Sequence, residues 1–324
     1  MNKYLKWFFI VIFITAVLSG FILFRYRSNP AYDTVNEQLV LRLAETYPAD
    51  HPSALAAQKF AELAYERTDG RINIKVYYNG KLGNESEVLK QMQFGGIAMA
   101  RVNFLELSNI VTYLQEYIEP YSYERPEEFL NALDDDKDNI SLKMQLEKFI
   151  PLVYYYPDHR CFYNNKSAIK GADDFTGLKL NTSTSGKITD IVKTLGCEPV
   201  NISTDNIFKS LTAGYMDGGE TTFCEFALSD YASVVPYVSL SDYLYCPDII
   251  IASSVSLRDI SRADQQLLEE CAKDSFVYQK QLLLQLQQDS LSELENKSIV
   301  IQNKSLLEPI LKKIFLKAGG NKND

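Results

Sequence analysis

The chain has 324 residues, enough for two ordinary domains, and its 46% hydrophobic and 23% charged residues lie outside the range of disordered chains. Acidic residues outnumber basic ones, 42 to 33, for a net charge of −9, and no dense Lys/Arg run occurs, which argues against a general nucleic-acid binder. Five dispersed cysteines without a C-x-x-C pair make a poor disulfide framework and read as small buried hydrophobes, and two histidines, His51 and His159, without ligand spacing argue against a zinc enzyme.

Residues 1–30 carry Lys3 and Lys6 ahead of an uncharged stretch from Trp7 to Phe24. About 18 apolar residues is short for a membrane span and long for a signal-peptide core. Val17-Leu18-Ser19 is a weak cleavage site, and Phe21-Ile22-Leu23-Phe24 continues the run beyond it, so an uncleaved anchor is preferred over a removed signal. Residues 31–38 read as a polar tether.

The body then alternates. Leu39 to Leu43 reads as a strand, and Pro52 opens a helix whose Ala56, Phe60, Leu63 and Ala64 share one face. Thr68-Asp69-Gly70 ends that helix, Arg71 to Tyr77 alternates as a strand, and Asn79-Gly80 turns the chain. A helix from Glu85 to Phe94 and a strand from Ile97 to Val102 follow. This β-α-β-α-β order implies a first lobe, 39–150, built on a largely parallel sheet and completed by later segments.

A second lobe, 151–255, has strand candidates at Leu152–Tyr156, Cys161–Tyr163 and Gly177–Leu180. Ile188, Ile191, Val192 and Leu195 mark a helix closed by Gly196. Pro199 to Ile202 is a short strand, and Ser203 or Thr204 caps a helix carrying Ile207, Phe208 and Leu211. In 256–324, Ser261 and Asp264 form a capping box for a helix reaching about Leu294, long enough to cross both lobes. Ile299-Val300-Ile301 and a helix from Leu306 close the fold.

No G-x-S-x-G elbow, Walker A loop or G-x-G-x-x-G motif is present. Asp134 to Asp138 resembles the start of a calcium loop, but Asn139 and Gln145 stand where Gly and Glu are needed, so a solvated helix face is preferred. No cofactor is implied.

Several stretches in order carry a family resemblance: FAELAYERTDGRINIKVYYNGKLGNESEVLKQMQFGGI after His51-Pro52, then HRCFYNNKSAIKGADDFTGLKL, LGCEPVNISTDNIFKSLTAGYMDGGE, YVSLSDY and SRADQQLLEECAK. Together, over residues 39–316, they resemble the solute-binding proteins of tripartite ATP-independent periplasmic (TRAP) transporters, of the dicarboxylate-binding type. The resemblance implies a periplasmic-binding-protein-like α/β fold, two lobes with a hinge and a long lobe-spanning helix, closing on a small solute. It implies small and large membrane subunits as partners, a body outside the cytoplasmic membrane, and no enzymatic activity. A ligand sensor of the same fold, presenting solute to a signalling receptor, is the alternative; a surface-anchored enzyme is disfavoured by the missing nucleophile motifs.

The resemblance also places an Arg clamp for a carboxylate at the end of the strand Gly177–Leu180, where this chain has Asn181. An amide replaces a bidentate, charge-assisted fork with neutral hydrogen bonds. Arg160 matches a second family Arg and is the expected cation of the cleft, or else a surface or interdomain ion pair. Glu220 and Thr221 stand at the family's acidic-amide pair, and Asn103 in the loop after the third strand. Thr204, Tyr163 and His51 complete the candidate ligand-binding set, with a cap or a packing role as the alternative for Thr204 and Tyr163. Thr182 to Ser185 place hydroxyls ahead of a helix, where partial positive charge favours oxygen-rich ligands.

Overall fold

The computed structural model describes residues 38–182, 186–297 and 299–320. The expected membrane segment, nearly all of the tether, and Ser183 to Ser185 lie outside the described residues. Among the described residues no helix is long and apolar enough to cross a membrane.

The first elements are β1 (Leu39–Ala44), α1 (Pro52–Arg67), β2 (Ile72–Tyr77), α2 (Glu85–Gln93) and β3 (Met99–Asn103). His51 caps α1 by accepting the Ser53 amide, and Pro52, which has no amide hydrogen to lose, stands in the first turn. Asp69 and Gly70 take positive φ, which stops the helix and turns the chain into β2. A reciprocal capping box between Asn84 and Glu87 opens α2. Next come α3 (Phe104–Ser108), α4 (Pro126–Asp135), α5 (Lys137–Leu146) and β4 (Phe149–Tyr154). Asp136, in the acidic run between α4 and α5, accepts the hydroxyls of Tyr113 and Tyr117, each at 2.6 Å.

The chain continues through β5 (Asp158–Asn164), β6 (Lys179–Asn181), α6 (Gly186–Thr194), β7 (Glu198–Val200), α7 (Ile207–Thr212), β8 (Gly218–Thr222) and α8 (Phe223–Leu228). It ends with β9 (Tyr237–Cys246), β10 (Asp248–Ser253), α9 (Arg262–Asn296), β11 (Val300–Gln302) and α10 (Lys304–Gly320). All five cysteines are free and buried.

Two sheets result, ordered β2-β1-β3-β10-β4 and β11-β9-β5-β8-β6-β7. The first is mixed rather than largely parallel: β1 and β3 run parallel, but β10 lies antiparallel between β3 and β4. Its Ile249, Ile250 and Ile251 are fully buried, the pattern of a central strand covered on both faces. Strands β4 and β10 therefore belong to the first sheet, so divisions at 150 and 255 do not follow the sheets; a strand returning from the second lobe carries no local mark of where it will pair.

In the second sheet β5 and β8 are antiparallel at very close quarters. A Cβ on Gly218 would lie 1.9 Å from the Tyr163 carbonyl oxygen, so only glycine fits. Helix α9 spans the lobes. Its Leu268, Cys271 and Ala272 join the core of the first lobe with Phe60 and Ala64 of α1, and its Leu294 joins the core of the second with Ile207, Leu211 and Phe226. Ser261 accepts the Asp264 amide and fixes its start.

Candidate functional site

Parallel strands leave their carboxyl ends open for ligands, because the chain turns there into helices and loops. In the first sheet β1 and β3 end at Ala44 and Asn103; in the second, β6 runs parallel to both β7 and β8, which end at Asn181, Val200 and Thr222. The two sets of ends meet. The Tyr47 hydroxyl, from the loop after β1, donates to Glu225 of α8 at 2.9 Å. Lys187 of α6 pairs with Glu119. A small cavity beside the Tyr47 contact is lined from both lobes, by Tyr47, His51, Asn103 and Asp248 on one side and Asp158 and Thr222 on the other.

Arg101, in β3, organises the first-lobe wall. Its fully buried guanidinium donates to Glu45 from Nε at 2.9 Å and Nη2 at 2.6 Å, to Glu85 from Nη1 at 2.6 Å, and more weakly to Asp248 at 3.3 Å. The Tyr47 ring lies over it, 3.8 Å from guanidinium carbon to centroid, and His51 stacks on Tyr47. Burial disfavours the guanidinium charge, but Glu45, Glu85 and Asp248 outweigh it and raise the Arg101 pKa. Burial pushes Asp248 up to about 7 against the pull of Arg101, and raises Glu45 as well. Burial and the Arg101 charge push His51 down to about 3, so it is neutral and serves as a cap and a stacking partner.

In the second sheet, Arg160 of β5 is buried and organises a second polar cluster. It grips Glu220 with a two-pronged fork, Nε to Oε1 and Nη2 to Oε2, the latter at 2.6 Å. The Tyr243 hydroxyl adds a bond to Glu220 at 2.7 Å, and Phe162 stacks on the Tyr243 ring. Burial opposes the Arg160 charge, yet Glu220 keeps its pKa well above the ordinary value. Arg160 Nη1 makes no hydrogen bond among the described residues. Of the two readings of Arg160, cleft cation or ion pair, the structure shows an ion pair, buried within one sheet rather than at the surface or between the lobes.

Asn181 is nearly buried, and its Oδ1 accepts the Ile202 amide at 2.7 Å, pinning the chain beyond β7. Thr221 donates to Glu225 at 2.6 Å. The Asn103 side chain caps α3 by accepting the Leu105 backbone amide, and the Asn103 backbone amide donates to Glu85. Two expected contacts lie elsewhere. Tyr163 projects from the opposite face of β5 to Arg160 and packs against Phe226 and Tyr231, because alternate residues of a strand face opposite ways. Thr204 is exposed in a short 3-10 turn; Ser203 takes the cap position there without a side-chain bond.

Three residues of the site carry no obvious mark in the sequence. Arg101 is visible only as a charge inside the apolar run Ile97 to Phe104, and Glu225 as the fourth member of a Thr-x-x-Glu capping box opened by Thr222. Tyr47 has no local signal, since the Arg101 and Glu225 that it bridges lie far along the chain.

Residues 43–315 match the model of the bacterial extracellular solute-binding proteins, family 7. A solute-binding protein of Chromohalobacter salexigens is 25% identical over 73% of this chain and 70% of its own length. Among solved structures, a TRAP periplasmic solute-binding protein from Polaromonas sp. JS666, bound to D-erythronate, superposes with a TM-score of 0.81 at 23% identity, covering 88% of this chain and 94% of that one. Another from Chromohalobacter salexigens, with D-glucuronate bound, gives a TM-score of 0.79 at 23% identity over 86% and 93%. The structural matches establish the two-lobe fold.

Proposed function

The chain belongs to family 7 of the bacterial extracellular solute-binding proteins, the receptors that serve TRAP membrane components, and from that premise we propose that its interlobe cleft captures a small, hydroxyl-rich monocarboxylic acid. The protein is a binding protein, not an enzyme, and acts outside the cytoplasmic membrane. Delivery is to the small and large membrane subunits. Residues 1–30, with their basic start and uncharged stretch from Trp7 to Phe24, hold the body at the outer face of the membrane.

One observation carries the choice of solute. Arg160 is locked at the cleft by Glu220, and it keeps one guanidinium nitrogen, Nη1, free of bonds to described residues. Glu220 cancels most of its charge, so a carboxylate meets a directed donor rather than a strong field. Asn181, tied to Ile202, supplies no second clamp. The remaining affinity then comes from hydroxyls, and Tyr47, Thr221 and Thr222 present matching groups. The ligands of the solved relatives, D-erythronate and D-glucuronate, are acids of this kind and support the reading.

Calorimetry on the full-length protein in detergent tests it. D-erythronate or D-glucuronate is expected to bind about 10–100-fold more tightly than the matching neutral alcohol, the worth of one charged hydrogen bond. Equal binding of acid and alcohol, or no binding of either, would overturn the proposal.

A further inference from the structure

We infer that Glu225 decides which acids the cleft admits: it accepts a hydroxyl of the solute and turns away a second carboxylate. This rests on the sugar-acid reading above and narrows it.

Glu225 sits at the third position of the short helix α8, where the capping box with Thr222 holds its backbone. Its two oxygens are used unequally. Oε2 receives the Thr221 hydroxyl at 2.6 Å, the Thr222 hydroxyl at 3.0 Å and the Thr222 amide at 3.3 Å. Among the described residues Oε1 receives only the Tyr47 hydroxyl, from the opposite lobe. A carboxylate oxygen has two lone pairs, so the oxygen that meets the other lobe keeps room for one more donor.

Its partners are neutral. Among the described residues no Lys, Arg or His forms an ion pair with Glu225, whereas both arginines of the cleft walls are matched: Arg101 with Glu45, Glu85 and Asp248, Arg160 with Glu220. The group nevertheless stays ionised. Burial pushes its pKa up, but the Thr221 hydroxyl, the Arg160 charge and the Tyr47 hydroxyl outweigh it and hold the carboxyl below its ordinary value. The cleft therefore offers two unlike groups, a guanidinium donor at Arg160 and, at Glu225, a half-buried negative charge that no ion pair among the described residues matches. A solute with one carboxylate and several hydroxyls fits both. A dicarboxylate places its second charge beside Glu225 in a partly dehydrated space, where repulsion is weakly screened.

The test compares two matched pairs, D-erythronate with tartrate and D-glucuronate with glucarate, by calorimetry on the full-length protein. Within a pair, one terminal group is a carboxylate instead of an alcohol or aldehyde carbon. Wild type is expected to favour the monoacid of at least one pair by about 100-fold. Glu225→Gln keeps the shape, removes the charge and should bring that ratio below about 10, chiefly by gaining the diacid. Glu225→Asp keeps the charge and should retain a ratio above about 10, which guards against a general loss of structure. Diacids bound as tightly as monoacids by wild type, or a ratio unmoved in Glu225→Gln, would overturn the role of Glu225 while leaving the sugar-acid reading intact. If none of the four binds wild type, the sugar-acid reading itself falls, and this inference with it.

Discussion

Replacing Arg160 with Ala should destabilise the protein as well as empty it of solute. The side chains of Arg160 and Glu220 are only 4% and 0% exposed, so the substitution leaves Glu220 buried without its guanidinium partner. Removing one member of such a pair costs roughly 3–5 kcal/mol, because the surviving charge is neither hydrated nor matched. At about 2–4 °C per kcal/mol for a chain of this class, the Tm should fall by roughly 6–20 °C. The double variant Arg160→Met, Glu220→Gln removes both charges and should recover most of that loss, since an apolar and amide replacement of a buried pair is often close to neutral. It should not recover acid binding. Thermal melts read the first effect and calorimetry the second. A Tm for Arg160→Ala within 2 °C of wild type (roughly the worth of 1 kcal/mol or less), or wild-type acid affinity in the double variant, would refute the reasoning.

Asn181→Ala should cost about 1–3 kcal/mol in urea unfolding, because the Ile202 amide loses its acceptor, whereas Asn181→Asp keeps an acceptor and should cost less. For the same reason Asn181→Arg should gain affinity for simple carboxylates only at a cost in stability, and an unchanged acid panel in that variant would count against the clamp argument. Gly218→Ala drives a methyl group into the Tyr163 carbonyl and should destabilise by at least about 1–3 kcal/mol, a loss that a wild-type melting curve would exclude. His159 gives a pH dependence. Burial lowers its pKa, but the hydrogen bond to Asp242 at 2.9 Å and the charges of Asp158 and Asp242 outweigh burial and the opposing Lys304, so it is raised above 6.5 in the folded state. The stability it brings is complete below 6.5 and is lost as pH rises through the raised value. The gap between wild type and His159→Gln should therefore shrink from pH 6 to pH 9, and a constant gap would contradict the assignment.

The helices that the period of apolar residues marks, such as α1 with Phe60 and Ala64 inward, stand where that period places them, as does the start of α9 at Ser261. These features are local, set by the repeat of the helix and by one or two capping bonds. The pairing of β10 was not legible. An apolar run such as Ile249-Ile250-Ile251 fits any central strand, and only the tertiary fold decides that it returns between β3 and β4. The site divides in the same way. Arg160, Glu220 and Thr221 follow from a family pattern, but the fork between Arg160 and Glu220 joins residues 60 positions apart. The carboxylates around Arg101 come from positions 45, 85 and 248, and no spacing rule links them. Tyr163 shows the converse: its residue type suits a binding site or a core, and its parity along β5 puts it in the packing role, one of the two readings the sequence allowed.

Native mass spectrometry of the full-length protein, released from detergent after gentle purification from its own membranes, asks most directly whether the lobes enclose a hydroxylated acid. The account predicts a mass adduct that vanishes on mild unfolding and analyses as an acid with one carboxylate and several hydroxyls, and that is absent from the Arg160→Met, Glu220→Gln protein. A bare chain that also takes up no sugar acid on addition, or an adduct retained by the double variant, would contradict it.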